Sequence, residues 1–268
     1  LGRGCLMSIL TQEVEALLYL FAAVCFILAL RGLSSPKSAR RGNLLGALGA
    51  LVGVVTVFLA EELSNVAWIL IVIAVGSIIS VPASRMVQMT QMPQLVALFN
   101  GVGGGAAAVV AFLELSAADT LGFLIAVAFT IFVGSVSFSG SVITFAKLQE
   151  LMTTRPVMFK GQPAVMVVLT LVSLVGAVWL VLDGSFLLGT ALMAVGLIMG
   201  VLVVLPVGGA DVPIVISLLN AMTGLAVAAS GLVLGNTLLL VAGTLVGASG
   251  TLLTRAMASA MGRSVSNT

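Results

Sequence analysis

The sequence predicts an all-α protein, a polytopic membrane helix bundle of nine transmembrane helices with the N-terminus outside and the C-terminus cytoplasmic. Three observations carry that expectation. Of 268 residues, 60% are hydrophobic and only 7% are charged, whereas a soluble domain carries about 25% charged residues. Such a chain could not cover a globule with polar surface. The apolar runs continue unbroken for about 17 to 23 residues, the length of a helix crossing hydrocarbon, where a spanning strand shows about ten residues of alternating polarity. The breaks between runs alternate in charge, as loops on opposite membrane faces do.

The first run covers roughly residues 14–31. It follows Glu13 and Glu15 and precedes Arg31, Lys37, Arg40 and Arg41, the reverse of a signal peptide's basic start. Residues 1–6 do not read as a natural beginning, Met7 reads as the initiator, and residues 1–13 are expected to stand apart from the bundle. The second run, 43–60, closes at Glu61 and Glu62; the third, 66–84, opens beside Trp68 and closes at Arg85. The fourth, 93–115, starts at Pro93 and meets Glu114 and Asp119 at its far end. The fifth, 120–148, is long enough to tilt or project. The sixth, 164–182, runs from beyond Lys160 to Asp183, and the seventh, 186–206, ends at Pro206. The eighth, 213–233, opens with Pro213, and the ninth, 237–258, closes near Arg255. Residues 14–258 thus form the transmembrane domain, and 259–268 read as the start of a linker.

Arg31, Lys37, Arg40, Arg41, Arg85, Lys147, Arg155, Lys160, Arg255 and Arg263 fall on one side of these spans. Glu13, Glu15, Glu61, Glu62, Glu114, Asp119 and Asp183 fall on the other. Basic loops are cytoplasmic, which fixes the orientation. Tyr19, Trp68 and Trp179 lie near the outer span ends, where interfacial anchors belong.

Several chemistries are excluded. The chain has no histidine, which removes imidazole metal sites, Ser-His and Cys-His catalysis and the usual neutral-pH proton carrier. Cys5 and Cys25 form neither a disulfide framework nor a metal spacing. No catalytic, metal or cofactor-binding residue and no nucleic-acid partner is expected in this chain. No ionisable residue lies near the middle of a span, so anything crossing must use neutral polar groups, water or a residue lent by another chain. The run Gly101-Val102-Gly103-Gly104-Gly105-Ala106 matches a dinucleotide fingerprint, but it follows helical sequence rather than a strand. Gly49 and Gly53, Gly101 and Gly105, Gly196 and Gly200, and Gly243 and Gly247 are spaced for close helix contact.

Two spans repeat a pattern. Pro93 is followed seven residues later by Asn100, and Pro213 by Asn220. Gly104 and Gly224, Ala106 and Ala226, and Ala108 and Ala228 continue the register. Each span precedes one with a serine-glycine pair, Ser139-Gly140 and Ser249-Gly250, which suggests a parallel duplication. Proline suits the first helical turn, and each asparagine then lies about 10 Å deeper on the same face. An amide there orients a water chain or simply bonds across helices, the latter worth about 0.6 kcal/mol. The fifth and ninth spans add Ser135, Ser137, Ser139, Ser141, Thr244, Ser249 and Thr251. The loop Val207-Gly208-Gly209-Ala210-Asp211 holds an acid on the basic side, to cap the eighth helix or to meet a cytoplasmic partner.

Gly208-Gly209-Ala210-Asp211-Val212-Pro213 leading to Ser217-Leu218-Leu219-Asn220 closely resembles the beta subunit of proton-translocating nicotinamide nucleotide transhydrogenase, in its membrane part. The same holds for Gly247-Ala248-Ser249-Gly250, Ala260-Met261-Gly262-Arg263-Ser264, Met89 to Ala97, and Phe138-Ser139-Gly140-Ser141 with Lys147-Leu148. The resemblance implies hydride transfer between NAD(H) and NADP(H) coupled to proton passage, with the chemistry in soluble domains outside the bilayer. It implies an NADP(H)-binding domain after Thr268, an alpha subunit carrying further helices and the NAD(H) domain, a homodimer of that unit, and the cell inner membrane. It assigns Asn220, Ser249 and Gly250 to the proton path, alongside Asn100 and Ser139, and Asp211 and Arg263, with the Gly208-Gly209 hinge, to coupling. Asn100 departs from the pattern, since many relatives have histidine there; a histidine of the alpha subunit is the favoured substitute. A secondary transporter of a small solute and a purely structural subunit are the competing readings.

Overall fold

The computed structural model describes residues 11–60, 63, 65–117 and 120–262. Among these it has nine α-helices: α1 (Gln12–Leu33), α2 (Pro36–Ala60), α3 (Val66–Met86), α4 (Met92–Glu114), α5 (Leu121–Leu148), α6 (Gln162–Asp183), α7 (Phe186–Val204), α8 (Val212–Val233) and α9 (Thr237–Ala260). Short 3-10 turns, Met89–Gln91 and Leu115–Ala117, flank α4. All nine are long and apolar enough to cross a membrane, so the chain is a multi-pass membrane protein. Each expected span has its helix, displaced at most a few residues except in α2.

That helix starts seven residues before the expected 43, at Pro36. Hydropathy marks where lipid-soluble sequence begins, but a helix continues as far as its ends are held. Proline suits that first turn, and the Ser38 hydroxyl reaches back to the Gly32 carbonyl at 2.7 Å. Lys37, Arg40 and Arg41 are therefore helical. By contrast α7 stops at Val204 instead of 206, because Pro206 cannot continue the ladder.

The helices group into two compact units, divided after Met86. In the first, α1 and α2 form a close hairpin: a Cβ on Gly42 would meet the Ala29 carbonyl at 2.9 Å, and one on Gly49 the Ala22 carbonyl at 3.0 Å. Tyr19 is buried here, which corrects its expected role as an interfacial anchor. It lies with Ala22, Ala23 and Ala29 among the buried residues of α1. Trp68 and Trp179 are exposed, as anchors require. No residue of α3 is buried.

In the second unit, α5 is the central helix, packed against α4, α6, α7 and α8, while α9 packs on α8. One apolar cluster joins Ala111, Leu115, Val127, Ile131, Leu180 and Leu192. A second, towards the opposite end, joins Val204, Val207, Val215 and Leu219. Between them α5 buries Ser135, Ser137, Ser139 and Ser141 beside Val133 and Val136. Gly184 and Gly235 take positive φ of 65° and 63°, which lets the chain reverse sharply from α6 to α7 and from α8 to α9. Ser185 and Asn236 then cap the new helices by accepting from Leu187 N and Leu239 N.

The duplicated pattern reappears as packing. A Cβ on Gly134 of α5 would strike the Gly104 carbonyl and Ala108 of α4. A Cβ on Gly243 of α9 would strike the Gly224 carbonyl and Ala228 of α8. Gly104 and Gly224, and Ala108 and Ala228, are the repeated positions, so each asparagine helix meets its following helix through the same residues.

Candidate functional site

The polar centre of the second unit lies where α4, α5 and α8 meet. Asn100 is buried there, and its Nδ2 donates to Ser141 Oγ at 2.9 Å and to Ser137 Oγ at 3.4 Å. Ser137 in turn donates to the Leu219 carbonyl of α8 at 3.0 Å and shares a short hydrogen bond with the Thr223 hydroxyl. Three helices are thus joined through one serine. Gly101 and Gly104 make this possible, since a Cβ on either would lie 3.0–3.1 Å from the Cβ of Ser141 or Ser137.

Among the described residues, Asn100 Oδ1 is buried with no hydrogen-bond partner. An unsatisfied buried acceptor costs about 1–3 kcal/mol, so this point of the bundle is primed to take a donor.

Asn220 occupies the repeated position but has different surroundings. It is half-buried and, among the described residues, makes no side-chain hydrogen bond. Three residues along a helix turn it about 300°, so Asn220 lies between the face of Thr223, which meets α5, and the face of Ser217, which meets α9. Aligning Gly134 with Gly243 sets Ser137 against Val246 and Ser141 against Gly250. The second pair therefore lacks the hydroxyls that hold Asn100.

A second polar contact joins α8 and α9. Ser217 Oγ donates to the Gly250 carbonyl at 3.1 Å, and Thr254 Oγ1 lies 3.1 Å from Ser217 Oγ and 2.8 Å from the same carbonyl. Gly250 is buried, and a Cβ on it would lie 3.0 Å from Ala221 of α8. Ser249 is half-buried and bonds to its own helix at Val246 O. Ser139 is buried on the other side of α5, bonded to the Ser135 and Val136 carbonyls and facing Gly200 of α7. Residues two apart on a helix point about 200° apart, so Ser135 and Ser139 meet α7 while Ser137 and Ser141 meet Asn100.

The loop between α7 and α8 is stitched to the loop between α5 and α6. Gly209 N donates to Thr154 O at 3.1 Å, and Val157 N to Leu205 O at 3.0 Å. A Cβ on Gly208 would sit 3.5 Å from Pro156. Asp211 is half-buried at the N-cap of α8, where its carbonyl receives Ile214 N and Val215 N. Arg263 lies outside the described residues.

Of the residues expected on the path, Asn100 lies at this junction, while Ser139 faces α7 and Asn220 stands apart from it. The sequence reading missed Ser137, Ser141, Thr223, Ser217 and Thr254 as linking groups. The spacing of the first two gave no signal, since Ser135 and Ser139 are one helical turn apart just as Ser137 and Ser141 are. Among the described residues no group of three or more His, Cys, Asp or Glu is placed to hold a metal ion.

A family model described as the NAD(P) transhydrogenase beta subunit matches residues 15–268. The NAD(P) transhydrogenase subunit beta of Rhodospirillum rubrum is 40% identical over 96% of this chain, and that of a named strain of the same species matches equally. The chain covers 58% of the length of each relative.

Proposed function

The chain belongs to the NAD(P) transhydrogenase beta subunit family, and we propose that it is the proton-conducting membrane part of such an enzyme. Proton passage through it drives hydride transfer between NAD(H) and NADP(H) bound in soluble domains. Residues 14–258 are the conducting domain, and 259–268 lead to an NADP(H)-binding domain of the same subunit. An alpha subunit supplies further helices and the NAD(H) domain, two such units form a dimer, and the whole lies in the cell inner membrane with the basic loops cytoplasmic. Neither nucleotide binds to this chain, and no residue of it touches the reacting atoms.

The observation that carries the reading is the buried, hydrogen-bonded junction of Asn100, Ser137, Ser141 and Thr223, which joins α4, α5 and α8. Hydroxyls and amides each offer donor and acceptor groups, so such a set can order a chain of waters. Asn100 does not titrate, and its unmet Oδ1 is the point at which a protonated side chain from the alpha subunit, or a water, would dock. Asn220, free of the bonds that hold Asn100, is the amide that changes access between the two sides. Asp211 and Arg263 face the NADP(H) domain, and the Gly208-Gly209 hinge passes its state to α8. Ser249 and Gly250 line the α9 side of the path, and Ser139 sets the distance between α5 and α7. Membership of this family leaves the transporter of a small solute without support.

The test is Asn220→Leu in the full alpha-beta enzyme, reconstituted in vesicles. Hydride transfer should persist while proton movement falls to background. Unchanged proton movement per hydride would remove Asn220 from the path.

A further inference from the structure

Lys147, in the last turn of α5, is fully buried. Its Nζ donates to three backbone carbonyls, Val204 at 3.1 Å, Leu205 at 2.6 Å and Val207 at 2.7 Å. An ammonium has three donors, and all three are used on the end of α7 and the loop that follows. Val204 and Leu205 lie at the negative pole of the α7 dipole, and their carbonyls, which already accept from Val207 N and Val157 N, use their second lone pairs on Lys147.

From this geometry we infer that Lys147 is a positioning residue for proton coupling: it fastens the loop carrying Gly208, Gly209 and Asp211 to the helix carrying Ser137 and Ser141. Movement of the loop then reaches the Asn100 junction through α5 as well as through α8. The inference rests on the proposed coupling role of that loop.

Three features set this apart from simple helix finishing. A buried ammonium carries a desolvation cost of several kcal/mol, which an aliphatic residue of similar length would avoid. The end of α7 is already held by Gln162 Nε2 on the Leu202 carbonyl and by Val157 N on the Leu205 carbonyl. Moreover, α5 meets α4 backbone to backbone at Gly134 and Gly104, so a displacement of α5 at Lys147 is transmitted rather than absorbed. Lysine also suits a moving contact, because its three donors sit on a compact head at the end of a flexible stem, whereas arginine's fork is planar and fixed.

The experiment uses the full alpha-beta enzyme in vesicles and reads protons moved per hydride transferred. Lys147→Met should lower that ratio at least fivefold while hydride transfer in detergent stays within twofold. Lys147→Arg, which keeps the charge, should recover at least half of the ratio. Gln162→Leu, which loosens the same end of α7, should leave it unchanged. A Lys147→Met enzyme as tightly coupled as the unaltered one overturns the inference, as does an equal loss in Gln162→Leu. If Lys147→Met does not accumulate, Lys147→Gln replaces it under the same outcomes. Unaltered enzyme that transfers hydride without moving protons would instead dismiss the proposed function itself.

Discussion

Asn100 and Ser141 are joined by a hydrogen bond of 2.9 Å across the α4–α5 contact. The buried amide therefore belongs to a preformed network, while its repeat, Asn220, does not. Two residues that are equivalent in sequence have different surroundings, set by the helix each one faces.

Ser137 and Ser139 should respond differently to alanine. Ser137 ties α5 to both Asn100 and α8, so Ser137→Ala should reduce proton movement per hydride severalfold. Ser139 bonds only to carbonyls of its own helix, and Ser139→Ala should stay within about 0.5 kcal/mol of the parent stability. Proton uptake in vesicles and thermal unfolding in detergent separate the two. Equal effects would argue that only the α5–α7 packing matters.

The glycines of the duplicated pairs make a matched test. Gly134→Ala and Gly243→Ala each drive a methyl group into the backbone of the facing helix, and each should destabilise by about 1–3 kcal/mol. Gly176 in α6 has open space around it, so Gly176→Ala should be neutral or stabilise by up to about 1 kcal/mol. Unfolding midpoints of the three variants check this directly.

Ser217 and Thr254 should prove energetically coupled. They share the Gly250 carbonyl between α8 and α9. A double-mutant cycle with Ser217→Ala and Thr254→Val should return an interaction of about 0.6 kcal/mol, the average for hydrogen bonds between membrane helices. Additive single effects would mean the α8–α9 contact is held by its glycines alone.

Much of the fold was legible because a lipid-facing helix announces its length through composition. All nine helices follow from apolar runs, and the α4 and α8 starts follow from Pro93 and Pro213. What composition could not give is rotation. A helix apolar on every side shows no preferred face, so nothing in the sequence separated Ser137 from Ser139. Lys147 was legible only as a charge at the basic end of the fifth run, where a lysine reads as solvent-facing. Its burial depends on where α7 ends, a long-range fact. Asn220 was singled out as the twin of Asn100, yet the difference between them lies in α9, where Val246 and Gly250 stand in place of hydroxyls.

The close glycine contacts within each pair have a mechanical consequence. Where backbones touch at Gly104 and Gly134, or at Gly224 and Gly243, neither helix can slide past its neighbour, and each pair behaves as a stiff plank. The seam between the planks adds to its apolar packing at Ala107, Val133 and Ala226 the Ser137 bonds to Leu219 and Thr223. Water can replace such bonds one for one, which it cannot do for interlocked glycines. The bundle thus holds a joint that water can enter at Ser137, on the proposed path.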